Sequence, residues 1–186
     1  DALMGCRNYL IGHNVQFDRR MITDNEFKHR GSVSEYLLDD SRWICTLRLA
    51  KKMFAAAVEY TKLTLSYLWY KFGCYRDVHR AVNAHAAKDD VFMCYQVLVK
   101  LVEVAIERGH IDPTQDIGPQ ITEFVNTPIR YTVMPFGKHK GEQMSVVPLN
   151  YIEWMIRNSD VLNEDQPNYD MDFAHTLAAE YSERTN

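Results

Sequence analysis

Three residues in this sequence have the types and surroundings that hydrolytic chemistry uses. In "YLIGHNVQFDRRMI", residues 9–22, an apolar run turns at Gly12 and then plants Asp18 among aromatic and cationic neighbours. A carboxylate just past a strand end, on the first turn of a helix, sits where an α/β sheet presents its ligands, and its oxygens suit a hard cation. An acid in the first helical turn also satisfies the helix dipole, so residue type alone leaves both readings of Asp18 open. The second stretch is "NAHAAKDDVFMCYQVL", where His85 precedes a long periodic segment and Asp90 falls in its first turns. Five residues apart on a helix is not one face, but with His85 still in the loop the imidazole and the Asp90 carboxylate can converge on one cleft. A histidine of near-neutral pKa beside a metal-binding carboxylate is what water activation requires. A solvated loop histidine beside helix-start charges is the alternative, and it too stands at this point.

The elements that would position these groups follow from hydrophobic periodicity. Residues 9–13 read as a buried strand and residues 17–23 as the opening of a helix, followed by the polar stretch "TDNEFKHRGSVSEYLLDDS", which has no clear period. "RWICT" reads as a second strand, and Leu47, Leu49, Ala50 and Met53 recur at near-helical spacing after it. "TKLTLSYLWYKFG" predicts a helix with Thr61 or Thr64 as cap and Gly73 as stop. Val91, Cys94, Tyr95, Leu98, Val102 and Ala105 define one amphipathic helix over 86–107, closed by Gly109. Strands interleaved with helices predict an α/β layer. The stretch "GHIDPTQDIGPQITEFVNTP" carries three prolines and two glycines and reads as an exposed connection with at most a short helix inside. Beyond it, "YTVMPFGKHKGEQMSVV" reads as strand, tight turn and strand, and "LNYIEWMIRN" and "DFAHTLAAEYSE" as short helices. The expected domains are therefore 1–109, a linker at 110–129, and a small α+β module at 130–186.

Bulk composition narrows the function classes. At 186 residues and 46% hydrophobic content the chain can bury a core. A formal net charge of −4 argues against a protein that coats a polyanion through its overall field, so nucleic acid would have to meet a local basic patch. The four cysteines, Cys6, Cys45, Cys74 and Cys94, form no C-x-x-C pair and read as reduced, which suits a cytoplasmic protein. No apolar stretch approaches the roughly 20 residues of a membrane span, so no membrane partner is expected.

Taken together, the two reactive stretches resemble a known family. H-N-x-x-F-D at His13 to Asp18, followed about seventy residues later by H-x-A-x-x-D at His85, Ala87 and Asp90, resembles the second and third motifs of the DEDDh (DnaQ-like) 3′-to-5′ exonucleases. The similarity runs through "RWICTLRLAKKM" and "YTKLTLSYLWYKFG", and "MPFGKHKGEQMSVVPLNYIEWM" resembles the C-terminal region of the family's exodeoxyribonuclease X-like branch. The resemblance implies an RNase H-like mixed sheet with flanking helices and two Mg²⁺ (or Mn²⁺) ions acting on DNA, at single strands or 3′ ends. It makes Asp18 and Asp90 metal ligands and His85 the general base. It implies that Phe17 packs beneath Asp18, that His13 and Asn14 shape the turn, and that His13, Asn14 and Phe17 lie where nucleic acid would be held.

The sequence departs from the family in one respect. The first motif, D-x-E on the first strand, supplies two of the four carboxylates, and nothing in residues 1–8 can serve as it. Asp24-Asn25-Glu26 has the letters in the wrong place. With two acids facing two divalent cations, the chain alone is expected to be a weak catalyst. The expectation is an α/β domain incomplete at its N-terminus, its first strands supplied by a missing upstream segment or a partner chain, or else a degenerate remnant.

Other residues carry two readings each. Arg19, Arg20, Arg48, Lys51 and Lys52 could rim the cleft or simply face solvent. His79 begins like the third motif, but Ala84 stands where Asp is needed, so it reads as a decoy or a nearby DNA-contacting residue, and His29, His110 and His175 have no partners at metal-ligand spacing and read as surface residues. In "FGKHKGE", Gly137 and Gly141 allow a tight turn that projects Lys138, His139 and Lys140 as a cationic tip, suited to phosphates but blind to sequence. The resemblance favours a DNA-holding role for that tip, with Tyr131, Tyr151 and Trp154 packing the module.

Overall fold

The computed structural model describes residues 9–54, 62–78, 82, 86–163, 166 and 169–185. The chain divides into two compact units, residues 1–126 and 127–186. In the first, strand β1 (Leu10–Gly12) lies parallel to β2 (Trp43–Cys45), with Leu10 opposite Trp43, Ile11 opposite Ile44 and Gly12 opposite Cys45. Parallel neighbours cannot be joined by a tight turn, and helices α1 (Val15–Arg30) and α2 (Glu35–Leu38) make the crossover. Asn14, in the left-handed conformation at φ 69°, turns the chain from β1 into α1. Among the described residues the sheet has these two strands, and the rest of the unit is mostly helical.

In the first unit, among the described residues, the strands and helices read from the periodic segments are present, but β1 and α1 differ from expectation. β1 is shorter than expected and not buried: Ile11 is 45% exposed, because among the described residues β1 pairs with β2 alone. Helix α1 does not stop near residue 23 but continues through the stretch that showed no period. It buries only Val15, and its turns are linked instead by i,i+4 ion pairs, Arg20 to Asp24 at 3.7 Å and Arg30 to Glu26 at 3.4 Å.

Helix α3 (Thr46–Phe54) follows β2 directly and buries Leu49, Ala50, Met53 and Phe54. Helix α4 (Leu65–Lys71) is capped by Thr64, whose hydroxyl accepts from the Tyr67 N–H, and ends at left-handed Gly73. Thr61 lies outside the described residues. Helix α5 (Ala87–Glu107) packs against α3, α4 and β1, its Met93, Val97, Leu101 and Ala105 stripe forming the centre of the core with Trp43, Ile44 and Trp69. The segment 110–129, expected as an exposed connection with at most a short helix inside, does contain one short helix, α6 (Ile117–Asn126), but that helix is packed rather than exposed. Ile121 and Val125 bury it against β2 and α3, and the Arg48 Nε donates to the Val125 carbonyl at 2.9 Å. That apolar pair at i,i+4 outweighs the prolines, which stand before the helix (Pro113), in its first turn (Pro119) or beyond its end (Pro128).

The second unit holds helices α7 (Leu149–Asn158) and α8 (Met171–Thr185) around Met134, Met144, Val147, Ile152, Met155, Phe173 and Leu177. The expected two-stranded ribbon reduces to a single antiparallel bridge between Val133 and Gln143. Pro135 has no N–H to continue a ladder, and the next residues turn at once through Gly137 and Gly141, so the unit is helical rather than α+β. Its entry segment is held by α8. The Asp172 carboxylate accepts from the Ile129 N–H at 2.9 Å, the Thr176 hydroxyl accepts from the Tyr131 N–H at 2.9 Å, and Arg130 meets Glu180 and both oxygens of Glu183. Thr176 is fully buried, so Thr176→Ala leaves the Tyr131 N–H without that acceptor. We expect a loss of about 1–3 kcal/mol in the second unit's stability, read as a lower urea midpoint with an unchanged slope.

Candidate functional site

An open cleft of about 780 Å³ lies in the first unit, and both Asp18 and Asp90 line it. The two acids are remote in sequence and arrive from different elements. β1 ends at the cleft edge, the left-handed Asn14 starts α1, and the first turn of α1 brings Asp18 back over Gly12. A Cβ at Gly12 would stand 3.0 Å from the Asp18 Oδ2 and 3.3 Å from the Val15 Cγ2, so the missing side chain is what lets the carboxylate lie against the strand end. Asp90 comes from the first turn of α5 across the cleft, with Cys94 one turn further on the same helix. Partial burial pushes the Asp18 carboxyl above the usual carboxylate range. Burial likewise pushes the Cys94 thiol up, with the charge of Asp18 adding to it, so the thiol stays protonated at neutral pH.

His13 braces the cleft rather than facing across it. Its Nε2 lies 2.9 Å from the Leu63 carbonyl and its Nδ1 2.9 Å from the Thr46 hydroxyl. A carbonyl only accepts, so Nε2 carries the proton. Burial lowers the imidazole pKa, and in the neutral ring Nδ1 accepts from the Thr46 O–H. The Thr46 oxygen is then placed to accept from the Cys94 thiol, 3.7 Å away. The same hydroxyl also stands 3.2 Å from the Gly12 carbonyl, which competes for its single proton. One imidazole thus joins the end of β1, the start of α3 and the residue before the α4 cap.

The remaining sequence-derived residues divide clearly. His85 and His79 lie outside the described residues. Phe17 does not pack beneath Asp18: it is 63% exposed, because α1 turns that position outward. Asn14 makes no side-chain cap to α1, so its contribution to the turn is its backbone conformation. The cations expected at a rim are in part tied down. Arg19 donates to the Leu37 and Leu38 carbonyls and pairs with Asp40, Arg48 holds α6, and Lys52 lies 4.6 Å from the Phe124 ring centroid. Among the described residues no three or more His, Cys, Asp and Glu side chains are grouped closely enough to hold a metal ion. Thr46 and Cys94 were not singled out from the sequence; Cys94 was within reach, since it stands i+4 from Asp90 on the face that meets the cleft.

In the second unit the turn at 137–141 is fastened to α7. Gly137 has φ 80°, and the Lys138 N–H donates to the Tyr151 hydroxyl at 3.2 Å. The His139 Nδ1 lies 3.0 Å from Glu142 and the imidazole meets the Tyr151 ring edge-on at 4.6 Å. Lys138 and Lys140 are exposed.

Residues 123–160, the stretch that includes this turn and α7, match the model of a family described as "Putative quorum-sensing-regulated virulence factor". No curated protein and no solved structure matches the chain. No helix among the described residues is long and apolar enough to cross a membrane.

Because the Asp18 carboxyl is raised, its ionisation costs folding free energy. The folded state holds that proton more tightly than the unfolded chain, so stability falls as pH rises from the ordinary value of 3.8 through the raised one. Asp18→Asn should therefore melt higher than the parent at neutral pH, with the difference vanishing below about pH 3.8, where both side chains are neutral. Melting curves across that pH range check it.

Proposed function

We propose that the cleft of the first unit hydrolyses phosphodiester bonds, removing nucleotides from the 3′ ends of DNA with divalent cations as cofactors. The observation that carries this reading is that Asp18 and Asp90, the two acids of the H-N-x-x-F-D and H-x-A-x-x-D segments, line one cleft although they lie on separate elements. The resemblance to the DEDDh exonucleases assigns them the role of metal ligands. It also reads the parallel β1–β2 pair and α5 as part of an RNase H-like sheet-and-helix layer.

The donor set fits a hard cation. Two carboxylates and no unprotonated thiolate favour Mg²⁺ or Mn²⁺, with water completing the shell. A second ion needs further carboxylates, which the described residues of the cleft do not supply. When bound, such a cation supplies Lewis acidity to a phosphoryl oxygen and lowers the pKa of water. The chain's own residues do the rest. Asp18 and Asp90 fix the position of positive charge in the cleft, and the raised affinity of Asp18 for a proton marks a carboxylate that gains from a cation beside it. His13, neutral and held from both sides, keeps the end of β1 in register with α3 so that the carboxylate does not drift. His85 takes the proton from the attacking water. A positioned base of this kind contributes about 10²–10⁴-fold.

The gathering of two acids rather than four favours a second reading, a nucleic-acid-binding protein without catalysis, and one experiment separates the two. A 5′-labelled single-stranded oligonucleotide is incubated with the chain and a graded excess of Mn²⁺. The nuclease reading predicts slow shortening from the 3′ end, abolished in Asp18→Ala and Asp90→Ala and slowed by about 10²-fold or more in His85→Ala. Shortening that persists unchanged in both Asp variants overturns the assignment, and binding without shortening at any Mn²⁺ concentration supports the second reading.

A further inference from the structure

The second unit carries an aromatic surface that packing does not explain. Trp154, expected to help fill the module, is 54% exposed, whereas Trp43 and Trp69 in the first unit are 6% and 4% exposed. Its indole lies nearly parallel to the Tyr151 ring, centroids 5.8 Å apart and planes 26° from each other. Tyr151 is in turn gripped by the cationic turn. Its hydroxyl accepts from the Lys138 N–H, and its ring receives the edge of His139. A Cβ at Gly137 would stand 2.6 Å from the Tyr151 hydroxyl, so the turn lies directly on that ring. The turn with its two exposed lysines and the exposed indole are thus both seated on one tyrosine. Glu142, in the same turn, lies 3.0 Å from the His139 Nδ1.

We propose that this surface binds a single-stranded segment of nucleic acid, one unpaired base stacking on Trp154 and the adjoining phosphates meeting Lys138 and Lys140. Every base has a π-face, so stacking tolerates any sequence, and the lysines read only phosphate. The aromatic pair is what makes the occupant single-stranded, because bases inside a duplex offer no face to an indole. This deepens the reading of a nucleic-acid enzyme by naming the form of strand it holds, and it does not depend on the cleft being catalytic.

The test uses the full chain in EDTA, where no metal-dependent cleavage occurs. Trp154 is the exposed member of the chain's three tryptophans, so its emission reports on the site. Adding an oligo-dT single strand should quench that emission in a saturable manner. In parallel, anisotropy of a labelled oligo-dT should show about tenfold or weaker affinity for Trp154→Ala, while Trp154→Phe, which keeps a ring, stays within about threefold of the parent. Changing Lys138 and Lys140 together to Ala should reduce the slope of log affinity against log salt by about 1.4. Equal affinity of Trp154→Ala and the parent, equal binding of a blunt duplex, or quenching by a proline-rich peptide but not by oligo-dT would each overturn the proposal. Failure of catalysis in the cleft leaves all of these readouts unaffected.

Discussion

The imidazole of His13 holds the cleft together. Its two nitrogens reach the Thr46 hydroxyl and the Leu63 carbonyl, and through them the end of β1 is locked to α3 on one side and to the entry of α4 on the other. Because burial keeps the ring neutral and the carbonyl fixes its tautomer, the arrangement is directional: Nε2 donates, Nδ1 accepts, and the Thr46 oxygen is left to face Cys94 on α5. Everything that positions Asp18 follows from where β1 stops. Gly12 is bare so that the carboxylate can lie against it, and Asn14 is left-handed so that the first turn of α1 brings the acid back to the strand end. Loss of the His13 bridge would free three elements at once, although no single one of its bonds is unusual in strength.

The electrostatics of the cleft point the same way. Burial raises the Asp18 carboxyl and the Cys94 thiol together, disfavouring the charged form of each. Asp90, at the start of a helix of 21 residues, faces the same volume from the opposite wall. Both acids reach the cleft from separate elements, and that is the observation behind the proposed cation site. In the second unit the same economy of means recurs: Tyr151 at once anchors the cationic turn and supports the exposed indole.

Much of this was legible in the sequence where local patterns decide the outcome. The Thr64 cap and the stop at Gly73 are local features, and each forms as its pattern indicates; the helix over 87–107 forms too, but Val91 and Tyr95 of its expected apolar face point outward and Met93, Val97 and Leu101 are buried in their place. Asp18 and Asp90 could be paired because the two motif segments name them together. What was not legible depends on distant partners. Nothing in the neighbourhood of His13 announces Leu63, fifty residues away, and so its bracing role is visible only in three dimensions. Helix α1 runs past residue 23 on ion pairs rather than on an apolar stripe, which leaves little hydrophobic period to read. The 110–129 segment looked like a linker because its prolines and glycine break any clear period, while Ile111, Ile121 and Val125 bury it in the core. Phe17 and Trp154 were placed inside on the strength of the resemblance, and the structure turns both outward; exposure of a large aromatic is set by which face of a helix it occupies, not by its hydrophobicity.

The claim on which the account rests is that Asp18 and Asp90 share one cation. Mn²⁺ binding followed by electron paramagnetic resonance, in the parent chain, Asp18→Asn, Asp90→Asn and the double variant, tests it without reference to turnover. A shared ion predicts that either single change removes the tightest site and that the double change removes no more. Retention of that site in one of the single variants, or losses that simply add, would show that the two carboxylates act apart and would contradict the account.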